Sequence, residues 1–114
     1  NVGRITAHKL GYIMNGKLKK KLRGIGHELK AVVTVAGNGL SENVIAELDR
    51  ALDDHELIKV KVFGDRSERA EVVASLKELP DTAIVQVVGG MALVYRASRE
   101  PNPLLSNIAK ANVL

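Results

Sequence analysis

Three groups of residues in this chain have the types and spacing to do chemistry: the histidines, a knot of carboxylates and a glycine-rich turn. The histidines are His8, His27 and His55, and none has a second histidine three or four residues away, the spacing that sets two imidazoles on one helix face for a metal. The sequence has no cysteine, so thiolate zinc sites and disulfide frameworks are excluded. His27 and His55 each close a segment with helical periodicity, and an imidazole at the negative end of a helix dipole is adequately explained by that position. Asp53, Asp54 and Glu56 surround His55. Such a set could do general acid and base work or hold a metal for an enzyme acting on nucleic acid, but a run of acids at a helix end is more often solvated surface. No nucleophile elbow is present. The expectation is a protein that binds rather than catalyses, with neither metal nor cofactor.

The turn Ala36-Gly37-Asn38-Gly39 falls between an expected strand and an expected helix, where phosphate-binding loops sit. The Walker Lys-Ser/Thr pair is missing, because Leu40 and Ser41 follow the second glycine. Two readings stay open: a purely structural turn, or a loop whose backbone lets another molecule approach and whose helix-start amides attract phosphate. A Gly-x-x-Gly loop clamps a nucleic-acid backbone in one class of single-strand binding module. Residues 1 to 30 hold eight Lys or Arg (Arg4, Lys9, Lys17, Lys19, Lys20, Lys21, Arg23 and Lys30) against one acid, Glu28, a net +7, while the other 84 residues carry −3. Such asymmetry suggests a polyanionic partner, or else a solvated basic helix face.

Several elements must position these groups. Asn1 to Ile13 shows no clean period and is expected to be a non-native leader before a natural start at Met14, which leaves 14 to 97 as the domain and 98 to 114 as a tail. Without the leader the charge falls to +2, so the argument rests on the local run between Lys17 and Arg23. Leu18, Leu22, Ile25 and Leu29 form the stripe of an amphipathic helix whose other face carries Lys17, Lys19, Lys20, Lys21 and Arg23. Ala31 to Val35 reads as a strand. Ser41 caps a second helix with Val44, Ile45, Leu48, Ala51 and Leu52 inward. Leu57 to Phe63 reads as a strand with Ile58, Val60 and Val62 on one face and Lys59 and Lys61 on the other.

Asp65 and Glu68 form a capping box for a third helix, with Val72, Val73, Leu76 and Leu79 inward and Pro80 ending it. Ala83 to Val88 and Met91 to Arg96 pair through Gly89-Gly90, and a turn or two of helix is expected within Leu104 to Ala111. The fold class is therefore α/β, a single domain in the order α-β-α-β-α-β-β with one mixed four-stranded sheet and packed helices. No apolar run is long enough to span a membrane, so the cytoplasm is the expected location, with no membrane partner.

Leu22-Arg23-Gly24 with His27 and Leu29-Lys30, Gly39-Leu40-Ser41 with Val44, His55-Glu56-Leu57-Ile58-Lys59-Val60-Lys61-Val62, and Gln86-Val87-Val88-Gly89 with Leu93-Val94-Tyr95-Arg96 together resemble the CRM domain, the chloroplast RNA-splicing and ribosome-maturation family. The match is nearest to single-domain bacterial YhbY-like proteins and covers about Lys17 to Arg96. The resemblance implies an RNA-binding domain similar in fold to the C-terminal domain of bacterial translation initiation factor three. It also implies, for bacterial members, association with ribosomal RNA in large-subunit precursors. The family's Gly-x-x-Gly loop falls on Ala36-Gly37-Asn38-Gly39, with Ala36 in place of the first glycine.

The combined expectation is an RNA-binding protein that assists ribosome assembly. Gly37, Asn38 and Gly39 offer a close-approach backbone, and Lys17, Lys19, Lys20, Lys21, Arg23 and Lys30 add phosphate contacts. Lys59 and Lys61 either face RNA or lay their stems over apolar sheet surface. Arg66 and Arg69 read as ordinary surface at a helix start. Tyr12, Phe63 and Tyr95 are the only aromatic residues, so backbone and shape recognition is expected over base stacking as the main mechanism. The rival is a protein-interaction module docking on a ribosomal protein through the basic helix.

Overall fold

The computed structural model describes residues 16–36 and 39–111; the expected leader and Met14 lie outside the described residues, as do Gly37 and Asn38. The chain runs α1 (Gly16–His27), β1 (Ala31–Val35), α2 (Glu42–His55), β2 (Leu57–Val62), α3 (Arg66–Lys77), β3 (Ala83–Val88), β4 (Met91–Tyr95) and a short α4 (Asn107–Ala111). The sheet has the order β1-β2-β4-β3. β1 and β2 are parallel, joined by the α2 crossover, and β4 is antiparallel to both β2 and β3. The expected α/β class and mixed four-stranded sheet are what the chain forms.

Local chemistry sets the boundaries. The Ser41 side chain accepts from the Val44 amide at 3.2 Å and starts α2. At α3 the capping box is reciprocal: Asp65 Oδ1 accepts from the Glu68 amide at 2.8 Å, and Glu68 Oε1 accepts from the Asp65 amide at 2.9 Å. α3 stops at Lys77 and does not run on to Pro80, because the proline ring disfavours helical backbone at Leu79. The amides of Glu78 and Leu79 instead close tight turns onto the Ser75 and Leu76 carbonyls, and Leu79 is still buried. The β3–β4 turn has Gly89 at φ 58°, a positive value at the first central position that glycine supplies at low cost.

Both faces of the sheet are used, and they differ. On one, Val33, Val35, Ile58, Val60, Val62, Ala92 and Val94 pack under Leu48 and Leu52 of α2 and Val72 and Leu76 of α3. On the other, Leu57, Val85, Leu93 and Tyr95 pack under Leu22 of α1 and Ile108 of α4. That second cover is partial. α1 comes so close that a Cβ on Gly26 would lie 2.6 Å from a Leu93 methyl, and beyond this contact the same face is open.

The segment after Tyr95 packs onto the domain, an attachment that the composition of the tail did not announce. Ser106 and Ile108 are buried. Glu56, also buried, accepts from the Ser106 hydroxyl at 2.6 Å and from the Ser98 amide at 2.7 Å.

Candidate nucleic-acid interface

The open part of the second face follows from strand alternation. Lys59 pairs with Leu93 and Lys61 with Met91 across β2 and β4, while Gln86 and Val88 pair with Leu93 and Met91 across β3 and β4. These side chains therefore share a face. On β1, Val33 and Val35 are buried on the other face, which turns the exposed Val32 and Thr34 to this one. The surface is mixed, with aliphatic groups, two ammonium stems and small polar groups.

A groove of about 290 Å³ runs between α1 and this surface, lined by Arg23, Gly26 and His27 from the helix and by Lys59, Gln86, Val88, Met91 and Leu93 from the strands. None of those lining residues is acidic. Arg23 and Lys59, far apart in sequence and both half-buried, thus face one channel. At about 100° per residue, Lys19, Lys20, Arg23 and His27 lie along one flank of α1, and Lys17 and Lys21 along the opposite flank. The basic helix is consequently divided. Its Arg23 flank borders the groove, and Lys17 and Lys21 point away from it. Lys30 is exposed in the link into β1.

Further along β2, Lys61 is exposed and its Nζ lies 5.0 Å from the centroid of the Phe63 ring. Phe63, expected as the last residue of the strand, falls one position beyond it; its amide donates to the Val35 carbonyl at 3.0 Å, which ties it to the end of β1. The glycine turn also leaves β1 at that edge. Gly39 has φ 72°, with open space where a Cβ would point, and its amide donates to the Ala36 carbonyl at 2.9 Å. A cavity of about 320 Å³ is shared by Ala36, Gly39, Leu40 and Phe63 with Glu68 and Glu71 of α3. Sequence reasoning assigned neither Phe63 nor His27 to the interface. The Lys20, Arg23, His27 spacing was the available signal for the histidine.

The other chemical candidates have structural positions. His55 Nδ1 lies 3.0 Å from the Leu105 carbonyl oxygen, at the docked tail. Glu56 is the C-cap of α2 with φ 61°, and its carboxylate is engaged by Ser98 and Ser106. Arg96, the last residue of one family-like block, is buried: it donates to the Thr82 hydroxyl at 3.2 Å and lies 3.0 Å from the Asp49 carboxylate. Arg69 donates to the Gly64 carbonyl at 3.2 Å and, with Arg66, lines a separate cavity between α3 and the β3–β4 hairpin. Among the described residues, no helix is long and apolar enough to cross a membrane.

Comparison with known proteins gives one consistent picture. The model of the CRS1/YhbY (CRM) domain matches residues 14–96. A protein of Pseudomonas aeruginosa named as a probable RNA-binding protein is 50% identical over 93 residues, covering 81% of this chain and 89% of its own. An RNA-binding protein of Haemophilus influenzae is 42% identical over 88 residues, covering 76% of this chain and 89% of its own. Among solved structures, a Staphylococcus aureus protein described as a candidate RNA binder superposes with a TM-score of 0.66 at 34% identity, covering 75% of this chain and 91% of that one.

Proposed function

The chain belongs to the CRS1/YhbY (CRM) domain family, and from that premise we propose that it binds RNA along the open sheet face, from the groove under α1 to the glycine-turn edge. One observation carries the reading: Arg23 and Lys59 face the same carboxylate-free channel, with Lys61 further along the same face. Cations aligned over a shallow apolar floor suit a phosphate backbone, and a partly covered sheet suits recognition by shape. In this scheme Arg23, Lys59 and Lys61 make the central phosphate contacts, with Lys19, Lys20 and Lys30 at the margins. Gly37, Asn38 and Gly39 provide the close backbone approach, and Lys17 and Lys21 contribute only through the long-range field.

The protein acts as a binder without a catalytic step. Glu56, the inner member of the one dense acidic run, is bonded to the tail, which supports this. Kinship with the family supports a cytoplasmic role in large-subunit assembly, with precursor ribosomal RNA as the partner.

The test is a titration of a short RNA at several salt concentrations with the parent and an Arg23→Gln/Lys59→Gln/Lys61→Gln variant. The slope of log affinity against log salt should flatten by about 2 units, since each phosphate contact on a single strand contributes about 0.7. Lys17→Gln/Lys21→Gln should change it far less. Equal slopes for parent and triple variant would refute the interface. For the cellular role, nuclease treatment of isolated complexes should release the protein; retention on a ribosomal protein would favour protein docking instead.

A further inference from the structure

Phe63 stands out against a sequence nearly devoid of aromatics. The residue is 50% exposed at the edge where β1 and β2 both end. A single exposed ring is ordinary by itself. Two independent features give this one a use. On the open sheet side, the Lys61 ammonium lies 5.0 Å from its centroid. Phe63 also lines the cavity of about 320 Å³ shared with Ala36, Gly39 and Leu40, whose α3 side carries Glu68 and Glu71 beside Val72 and Ser75. The two surroundings are opposite in charge.

That opposition selects an occupant. Carboxylates repel a phosphate from the cavity, while Lys61 attracts one just outside it. A nucleotide satisfies both, because its base is flat, neutral and rich in hydrogen-bond donors, and its phosphate is anionic. Single-stranded RNA is recognised by bases splayed from the strand, stacked on a ring and hydrogen-bonded at their edges. Gly39 has open space where a Cβ would point, so it sets no side chain of its own beside this cavity.

We infer that Phe63 is a stacking platform for one unpaired nucleobase, seated at the mouth of the Gly39–Phe63 cavity, with Lys61 shifting from the ring to that nucleotide's phosphate. The inference rests on the RNA-binding reading above and adds to it a single base-recognising position on a surface otherwise suited to the backbone. It makes the interface selective for single-stranded over fully paired RNA.

The sequence has no tryptophan, so Phe63→Trp places the sole indole of the protein at the site. A short single-stranded RNA, and the same RNA annealed to its complement, are titrated against this variant and against Phe63→Leu. The expected result is quenching of indole emission by the single strand and not by the duplex. Phe63→Leu should bind the single strand about tenfold more weakly, about 1.4 kcal/mol, with an unchanged salt slope, because no charge is removed. Full-strength binding by Phe63→Leu together with unquenched emission from the RNA-bound tryptophan variant overturns the platform and leaves the RNA-binding reading standing. If the parent binds neither RNA, both readings fall. Should Phe63→Leu melt well below the parent, the tryptophan emission alone decides.

Discussion

Glu56 and Tyr95 show how far a residue's role is set by neighbours distant in sequence. In the run Asp53, Asp54, His55, Glu56 the glutamate looks like one more surface acid, yet it is buried, at φ 61°, a conformation rare outside glycine. Its backbone bonds hold it there: the amide donates to the Leu52 carbonyl and its own carbonyl accepts from the Arg96 amide, both at 2.9 Å. Its side-chain partners lie 42 and 50 positions downstream, beyond any local pattern. The carboxylate also acts on Tyr95. Burial first, and the Glu56 charge second, push the Tyr95 phenol from 10.0 up to about 12. The folded protein therefore keeps this proton where the unfolded chain has lost it. The stabilisation is complete below pH 10 and is lost as the pH rises towards 12. Urea unfolding across that window should show stability falling with pH, and Tyr95→Phe should remove the part of the fall that this phenol causes.

At the scale of elements, what could be read from the sequence was local and periodic. The alternation in β2, the Ser41 and Asp65 caps and the glycine pair each specify a structure within a few residues, and each forms where its pattern lies. The order β1-β2-β4-β3 was not legible, because pairing joins strands that no local period connects. The same limit split the basic helix. Its apolar stripe shows which face is buried, but only the direction in which α1 crosses the sheet decides that Arg23 meets the groove and Lys21 does not. The two hairpin glycines differ for a comparable reason. Gly89 needs a positive φ and has open space around it, whereas a Cβ on Gly90 would stand 2.8 Å from the Val62 carbonyl oxygen. Gly90→Ala should lower stability by about 1 to 3 kcal/mol through overpacking against backbone, and Gly89→Asn should be milder because asparagine tolerates the left-handed region. Denaturant midpoints of the two variants separate these cases.

For the molecule as a whole, the two faces of the sheet divide the work. The face under α2 and α3 carries the larger apolar core and leaves Val87 half-exposed at the β3 end, and the face under α1 is closed at one end and open at the other. The C-terminal segment secures the closed end through Ile108, Ser106 and Ser98. Ending the chain at Ala97 should cost on the order of 3 kcal/mol, from lost burial of one large side chain and a carboxylate stripped of its partners. A drop in melting temperature would register that loss, with RNA affinity retained at temperatures where the shortened protein is folded.

The Glu56 bond to Ser106 also sets a clock. Synthesis proceeds from the N-terminus at about 5 to 20 residues per second, so the 50 positions separating the two residues take roughly 3 to 10 s to make. For the first 42 of those positions the carboxylate has neither of its tail partners. The Glu56 cluster therefore closes only after residues 98 to 106 have been made, later than all four strands of the sheet, so docking of this segment follows sheet assembly instead of guiding it.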